Sequence, residues 1–139
     1  MRLFLDANIL FSAVHSPEGG ARELIRLSDA EKCELLTSQH AIFEAQRNLF
    51  VKSPKRVANF KKILKTVHRV SDASPNLVAK AGCFGLPEND APILAAAVAA
   101  EADMLVTGDR KHFGHLYGTV VGRVRIVNLV EALETVVGS

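Results

Sequence analysis

Tryptophan is absent from this chain, and aromatic residues make up only 6% of its 139 residues. Nearly half of the residues are apolar, mostly Ala, Val and Leu, so the core must be aliphatic and the chain reads as globular rather than disordered. Cysteine is almost as scarce. Cys33 and Cys83 stand far apart with no Cys-x-x-Cys pair, which excludes a disulfide scaffold and a cysteine-rich metal site. Two inert core thiols in a reducing compartment are expected. Long hydrophobic runs are missing too, since residues 93–100 fall well short of the roughly 20 needed to span a bilayer. The opening "MRLFL" has no signal-like apolar region. The expectation is a cytoplasmic protein with no membrane role.

Repeats, low-complexity tracts and linkers are also lacking, and 139 residues suit one compact domain over 1–139. The formal net charge of +2 does not announce a nucleic-acid partner. Its distribution is uneven, however. Between residues 51 and 70 there are seven cations (Lys52, Lys55, Arg56, Lys61, Lys62, Lys65 and Arg69) and no acid. Such a stretch either meets a phosphate backbone or keeps a helix face wet.

What the chain does contain is a regular beat of short apolar runs and helical patterns. "RLFL", "CELLTS", "HRV", "DMLVT" and "VRIVN" read as strands. Between them, "PEGGARELIRLSDA", "QHAIFEAQRNLF" behind an N-capping Ser38, a basic helix opened by Ser53-Pro54, "PNLVAKAG" and "APILAAAVAAEA" read as helices, with "LVEALETVV" closing the chain. Apolar strands without polar alternation, separated by helices, predict a three-layer α/β fold around a parallel sheet of about five strands. In such sheets ligands bind beyond the carboxyl ends of the strands.

Acids stand where that rule makes them informative. Asp6 follows "LFL" directly, Asp90 precedes an apolar helix begun by Ala91-Pro92, and Asp109 ends "VTGD" where the chain leaves a strand. Each has a purely structural explanation. Asp6 or Asn8 caps the next helix, Asp90 caps the helix it precedes, and Asp109 belongs to a Gly-Asp turn. Independent caps need not converge, whereas these three junctions can meet at one end of a parallel sheet. Carboxylates gathered there repel one another unless a cation or a proton intervenes. All-oxygen ligands favour Mg²⁺ or Mn²⁺. Glu44 carries no such signal. With Ala41, Ile42, Phe43, Ala45, Leu49 and Phe50 taken as the apolar arc, it projects to the opposite side as an ordinary exposed glutamate.

Over almost its whole length the chain resembles the PIN-domain nucleases, and among them the VapC-like toxins of toxin–antitoxin systems. The resemblance rests on "LDANIL", "SQHAIFEAQRNL", "ENDAPILAAAVAAEADMLVTGD" and "VRIVNLVEAL". It implies a PIN-like fold and a Mg²⁺- or Mn²⁺-dependent endoribonuclease leaving 5′-phosphate and 3′-hydroxyl ends. By motif, the catalytic and metal-holding acids would be Asp6, Glu44, Asp90 and Asp109, with Asn8 and Thr107 as supporting polar residues. "TGDRKHF" departs from the toxin pattern Thr-x-Asn-x-x-Asp-Phe and places His112 where many relatives keep an acid, so His112 joins the supporting set. Lys55, Lys61, Lys62, Lys65, Arg110 and Lys111 would hold RNA. A protein antitoxin and a second copy of the chain are the partners the resemblance implies.

Two other functions compete. One is a PIN fold that binds RNA or protein without cutting, against which the presence of all four acids argues. The other is a phosphoacceptor or phosphatase domain with Asp6 as nucleophile, disfavoured because "LDANIL" has no second acid close to Asp6 and no Lys follows a late strand at the expected place.

Overall fold

In the computed structural model, which describes residues 1–138, the strands form a single sheet. They are β1 (Arg2–Leu5), β2 (Glu34–Ser38), β3 (His68–Val70), β4 (Met104–Val106), β5 (Val120–Val121) and β6 (Val124–Val127). The six run in the order β3-β2-β1-β4-β6-β5. All neighbours are parallel except β5 and β6, which pair antiparallel. The sheet is thus one strand larger than the expected five, because β5 is a two-residue edge strand too short to carry a periodic signal.

The central strand β1 pairs with β2 on one side and β4 on the other, with Phe4 opposite Leu36 and Leu105. Leu3, Phe4 and Leu5 are consecutive yet all fully buried, so both faces of the sheet are covered. The cover comes from α1 (Ala7–His15), α2 (Gly20–Asp29), α3 (Gln39–Lys52), α4 (Val57–Leu64), α5 (Pro75–Gly82), α6 (Ala91–Ala99), the single turn α7 (Arg110–Phe113) and α8 (Leu129–Gly138). No helix among the described residues is long and apolar enough to cross a membrane.

Local signals account for most element boundaries. Ser38 Oγ accepts from Ala41 N at 3.3 Å and caps α3 as expected. Gly20 admits α8, for a Cβ there would stand 3.0 Å from Leu133 Cδ1. The run after Ser53 begins as a 3₁₀ turn, Pro54–Arg56, before becoming α4, and Ser53 makes no side-chain cap. Its hydroxyl instead meets His15 Nδ1 at 3.1 Å.

Three sequence expectations fail on burial. Phe43 and Phe50 are 62% and 70% exposed, so the buried arc of α3 is Ala41, Ile42, Ala45 and Leu49 alone. Glu44 is half-buried rather than exposed. Cys33 is buried, but Cys83 lies at the surface.

Candidate active site

The chain connects β1, β2 and β3 toward one edge of the sheet and then crosses to β4 on the other side of β1. This reversal opens a crevice at the carboxyl ends of β1 and β4. Asp6 follows β1 and Thr107 to Asp109 follow β4, so topology alone brings residues a hundred positions apart into hydrogen-bonding range.

Asp6 is 2% exposed and its carboxylate is fully engaged. Oδ1 accepts from Ala7 N at 2.7 Å, capping α1. Oδ2 accepts from the Thr107 hydroxyl at 2.8 Å and from Asn8 Nδ2 at 3.2 Å. Thr107 in turn accepts from Asp109 N at 3.1 Å, and Asn8 Oδ1 accepts from Gly108 N at 2.7 Å. Asn8 and Thr107, two of the three supporting residues, therefore stitch the β1 and β4 junctions together. Glycine at 108 permits this approach, because a Cβ would sit 3.3 Å from Asn8 Oδ1.

Asp90 occupies the N-cap position of α6 but does not cap it. Its backbone is already helical (φ −97°, ψ −25°) and its side chain bonds none of the helix amides. The capping expectation fails because a helical ψ directs the carboxylate away from the first turn, leaving it to face the crevice. Asp109 does cap, closing the single turn α7. Oδ1 accepts from His112 N at 3.1 Å, while Oδ2 lies 2.8 Å from His112 Nδ1. His112 Nδ1 is also 2.9 Å from Asp90 Oδ2, placing the ring between the two aspartates.

Glu44 arrives from α3, and the residue that orients it was not foreseen. His40, one turn earlier on α3, puts Nε2 at 3.0 Å from Glu44 Oε1 and 2.9 Å from Asn89 O. It ties α3 to the loop entering Asp90. The i, i+4 spacing of His40 and Glu44 is visible in the sequence, but such a pair on a polar face reads as an ordinary surface contact. Asn48, a further turn along α3, lines the cleft and was not foreseen either.

Asp6, Asn8, Glu44, Asn48, Asp90 and Asp109 line a cleft of about 340 Å³. Burial pushes the Asp6 carboxyl up to about 6 from its ordinary 3.8, with Asp90 and Asp109 adding to the rise and the Thr107 and Ala7 hydrogen bonds opposing it. Burial also raises Glu44, opposed by His40 and reinforced by Asp6. Asp90 is raised by burial as well, with His112 opposing and Asp109 and Glu44 reinforcing. Among the described residues no lysine or arginine is ion-paired with any of the four; only His40 and His112 are. Elsewhere the chain compensates its acids with arginine, as in Arg123 with Asp103 at 3.0 Å. The cleft thus gathers four carboxylates with no lysine or arginine in ion-pairing contact, Arg47 acting on Glu44 only from a distance. Such a donor set suits a divalent cation, and Asp90, Asp109 and His112 bring three possible ligand atoms within 4.8 Å of one another.

The remaining candidates are distributed unevenly. Arg110 and Lys111 are exposed immediately after Asp109. Lys55, Lys61, Lys62 and Lys65 are exposed too, but they lie elsewhere. Arg56 Nη1 donates to Val14 O at 3.3 Å, which pins the basic segment to the end of α1 remote from Asp6. On the outer side of Glu44, His40, Phe43, Arg47 and Phe50 border a wider groove of about 650 Å³.

Fold and cleft together define an α/β protein whose acidic residues collect at the carboxyl edge of a mostly parallel sheet. A sequence profile of the PIN domain matches residues 2–111, and the chain belongs to the PIN domain family. No curated protein sequence matches it. Among solved structures it is similar to VapBC2 from Rickettsia felis bound to a promoter DNA fragment (TM-score 0.69, 18% identity, covering 92% of this chain and 98% of that one). A Pyrobaculum aerophilum protein is similar at TM-score 0.71 and 19% identity, covering 100% and 97%. VapC20 of Mycobacterium tuberculosis, a toxin cleaving the sarcin–ricin loop, is similar at TM-score 0.57 and 15% identity, covering 78% and 91%.

Proposed function

We propose that this chain is a single PIN-like nuclease domain, a divalent-metal-dependent endoribonuclease acting in the cytoplasm as the toxin of a toxin–antitoxin pair. One observation carries the reading: Asp6, Glu44, Asp90 and Asp109 face one cleft at the sheet's carboxyl edge with no lysine or arginine ion-paired to them. Asp6, Asp90 and Asp109 would hold Mg²⁺ or Mn²⁺, with Glu44 assisting. When bound, such an ion supplies the charge that lets the carboxylates ionise together and Lewis acidity toward a phosphodiester and the attacking water.

The chain's own residues do the rest. Thr107 and Asn8 fix the Asp6 carboxylate, so it enters the reaction already oriented. His40 holds Glu44 toward the cleft. Arg110 and Lys111, exposed immediately after Asp109, would bind the RNA backbone. The lysines of α4 would meet only an RNA long enough to reach past α1. Hydrolysis of the P–O3′ bond by water leaves a 5′-phosphate and a 3′-hydroxyl.

The similarity to VapC20 and VapBC2 supports RNA as substrate and a protein antitoxin as partner. So does the surface, since Phe43 and Phe50 expose apolar area directly beside Glu44. A protein segment seated there would bury that area and block the cleft. A homodimer is the further assembly we propose.

Cleavage of a structured RNA by the purified protein tests the reading. Activity should require Mg²⁺ or Mn²⁺, vanish in Asp90→Asn and Asp6→Asn, and yield 5′-phosphorylated fragments. Metal-independent cleavage, or full activity in both variants, overturns it. Tight RNA binding without cleavage would favour a non-cutting PIN-fold module.

A further inference from the structure

We propose that His112 is a nitrogen ligand of the metal centre through Nδ1, beside Asp90 and Asp109, and that it tilts the site from Mg²⁺ toward Mn²⁺. The inference rests on the metal-dependent reading above.

The geometry of three atoms leads to it. His112 Nδ1 lies 2.9 Å from Asp90 Oδ2 and 2.8 Å from Asp109 Oδ2. Neighbouring ligands around an octahedral ion with bonds of about 2.1 Å stand about 3 Å apart. The observed separations are therefore already those of adjacent corners of such a site.

The turn that carries the ring holds it there. Asp109 Oδ1 is occupied by the cap to His112 N, so Asp109 presents its other oxygen toward the cleft. Phe113, the next residue, is fully buried and anchors the turn from beneath. Phe113 N also donates to Asp109 O at 2.9 Å, which closes the turn on the aspartate. No hydrogen bond to His112 Nε2 exists among the described residues. The ring can thus carry its proton on Nε2, toward solvent, and offer the Nδ1 lone pair to an ion.

Donor chemistry then sets the preference. Mg²⁺ is a hard ion that favours oxygen and keeps its waters, whereas imidazole suits first-row transition ions. A set of carboxylates alone discriminates weakly between Mg²⁺ and Mn²⁺. Replacing one oxygen by an imidazole nitrogen shifts the balance to Mn²⁺. The competing explanation is that Nδ1 carries a proton and only bridges the two aspartates, in which case no metal–nitrogen bond forms.

Electron paramagnetic resonance of the Mn²⁺-loaded protein decides between them without reference to activity. Spin-echo envelope modulation should show a directly bonded ¹⁴N that becomes ¹⁵N in protein labelled at histidine and disappears in His112→Gln. In parallel titrations, His112→Gln should weaken Mn²⁺ binding roughly tenfold or more while moving Mg²⁺ much less. His112→Asp should bring the two affinities closer together. The Asp109 cap uses a backbone amide of residue 112, so both variants are expected to fold, and circular dichroism checks that. Mn²⁺ bound without nitrogen modulation, modulation that persists in His112→Gln, or equal weakening of both metals overturns the inference and leaves the metal-dependent reading standing. Failure of the wild-type protein to bind Mn²⁺ at all overturns both.

Discussion

The Thr107 hydroxyl donates to Asp6 Oδ2 at 2.8 Å, joining the residues that follow two adjacent parallel strands. Thr107 Oγ1 itself accepts from Asp109 N, so one side chain links two acids of the cleft. Thr107→Val keeps the shape and removes both links. It should destabilise the fold by about 1–3 kcal/mol, the cost of leaving buried polar groups unpaired. It should also raise the Asp6 carboxyl further, because the lost hydrogen bond favours the ionised form. Urea unfolding and carbon-13 titration of the Asp6 carboxyl measure the two effects.

Asp6 makes stability depend on pH in a stated direction. Its folded value, about 6, lies above its ordinary 3.8, so its contribution is full below about pH 4 and lost as pH rises through about 6. Above that range the ionised, buried group costs about 3 kcal/mol, at 1.36 kcal/mol for each unit of the difference. Asp6→Asn should therefore gain stability relative to the parent at pH 7.5 and lose that advantage at pH 4. A parent chain whose urea midpoint does not change between those pH values would contradict this account of Asp6.

Metal should stabilise the folded chain whether or not RNA is present. At a hundredfold excess over its dissociation constant, Mn²⁺ should add about 2.7 kcal/mol and raise the melting temperature accordingly. The increment should vanish in an Asp90→Asn, Asp109→Asn double variant, as scanning fluorimetry would reveal.

Ser38 and Asp90 occupy the same position relative to their helices but do different work. Ser38 caps α3, so Ser38→Ala should cost about 1 kcal/mol. Asp90 makes no cap, and Asp90→Asn should cost no capping energy while abolishing cleavage. Paired denaturation curves separate the two.

His40 acts through Glu44. His40→Ala removes the contacts to Glu44 and to Asn89 O, and cleavage should fall about 10- to 100-fold, the usual cost of losing a group that orients a ligand. The loss should appear in kcat rather than KM, with the melting temperature little changed. A loss confined to KM would instead place His40 on the RNA.

Much of this was legible in the chain itself. Strands β1, β2, β4 and β6 are short unbroken apolar runs, and such runs have few alternatives to the middle of a covered sheet. Ser38 and Asp6 cap the helices they precede because a side-chain oxygen beside free amides is a local matter. Local rules misled where the decision was not local. Phe43 and Phe50 belong to α3 by sequence, yet its neighbours, chiefly α1, cover only the arc through Ala45 and Leu49, and the surplus aromatic surface stays outside. β5 is recognisable only because β6 offers it an edge.

The sequence by itself determined the alternation of strand and helix, the aliphatic core, and the junctions at which Asp6, Asp90 and Asp109 stand, since periodicity and turn chemistry act over a few residues. Only the tertiary structure decided what those junctions face. The crossover from β3 to β4 sets Thr107 against Asp6, Glu44 half-buried beside them, and His112 between Asp90 and Asp109. Contact between residues so far apart in the chain is fixed by the order of strands in the sheet, which no local window of sequence contains.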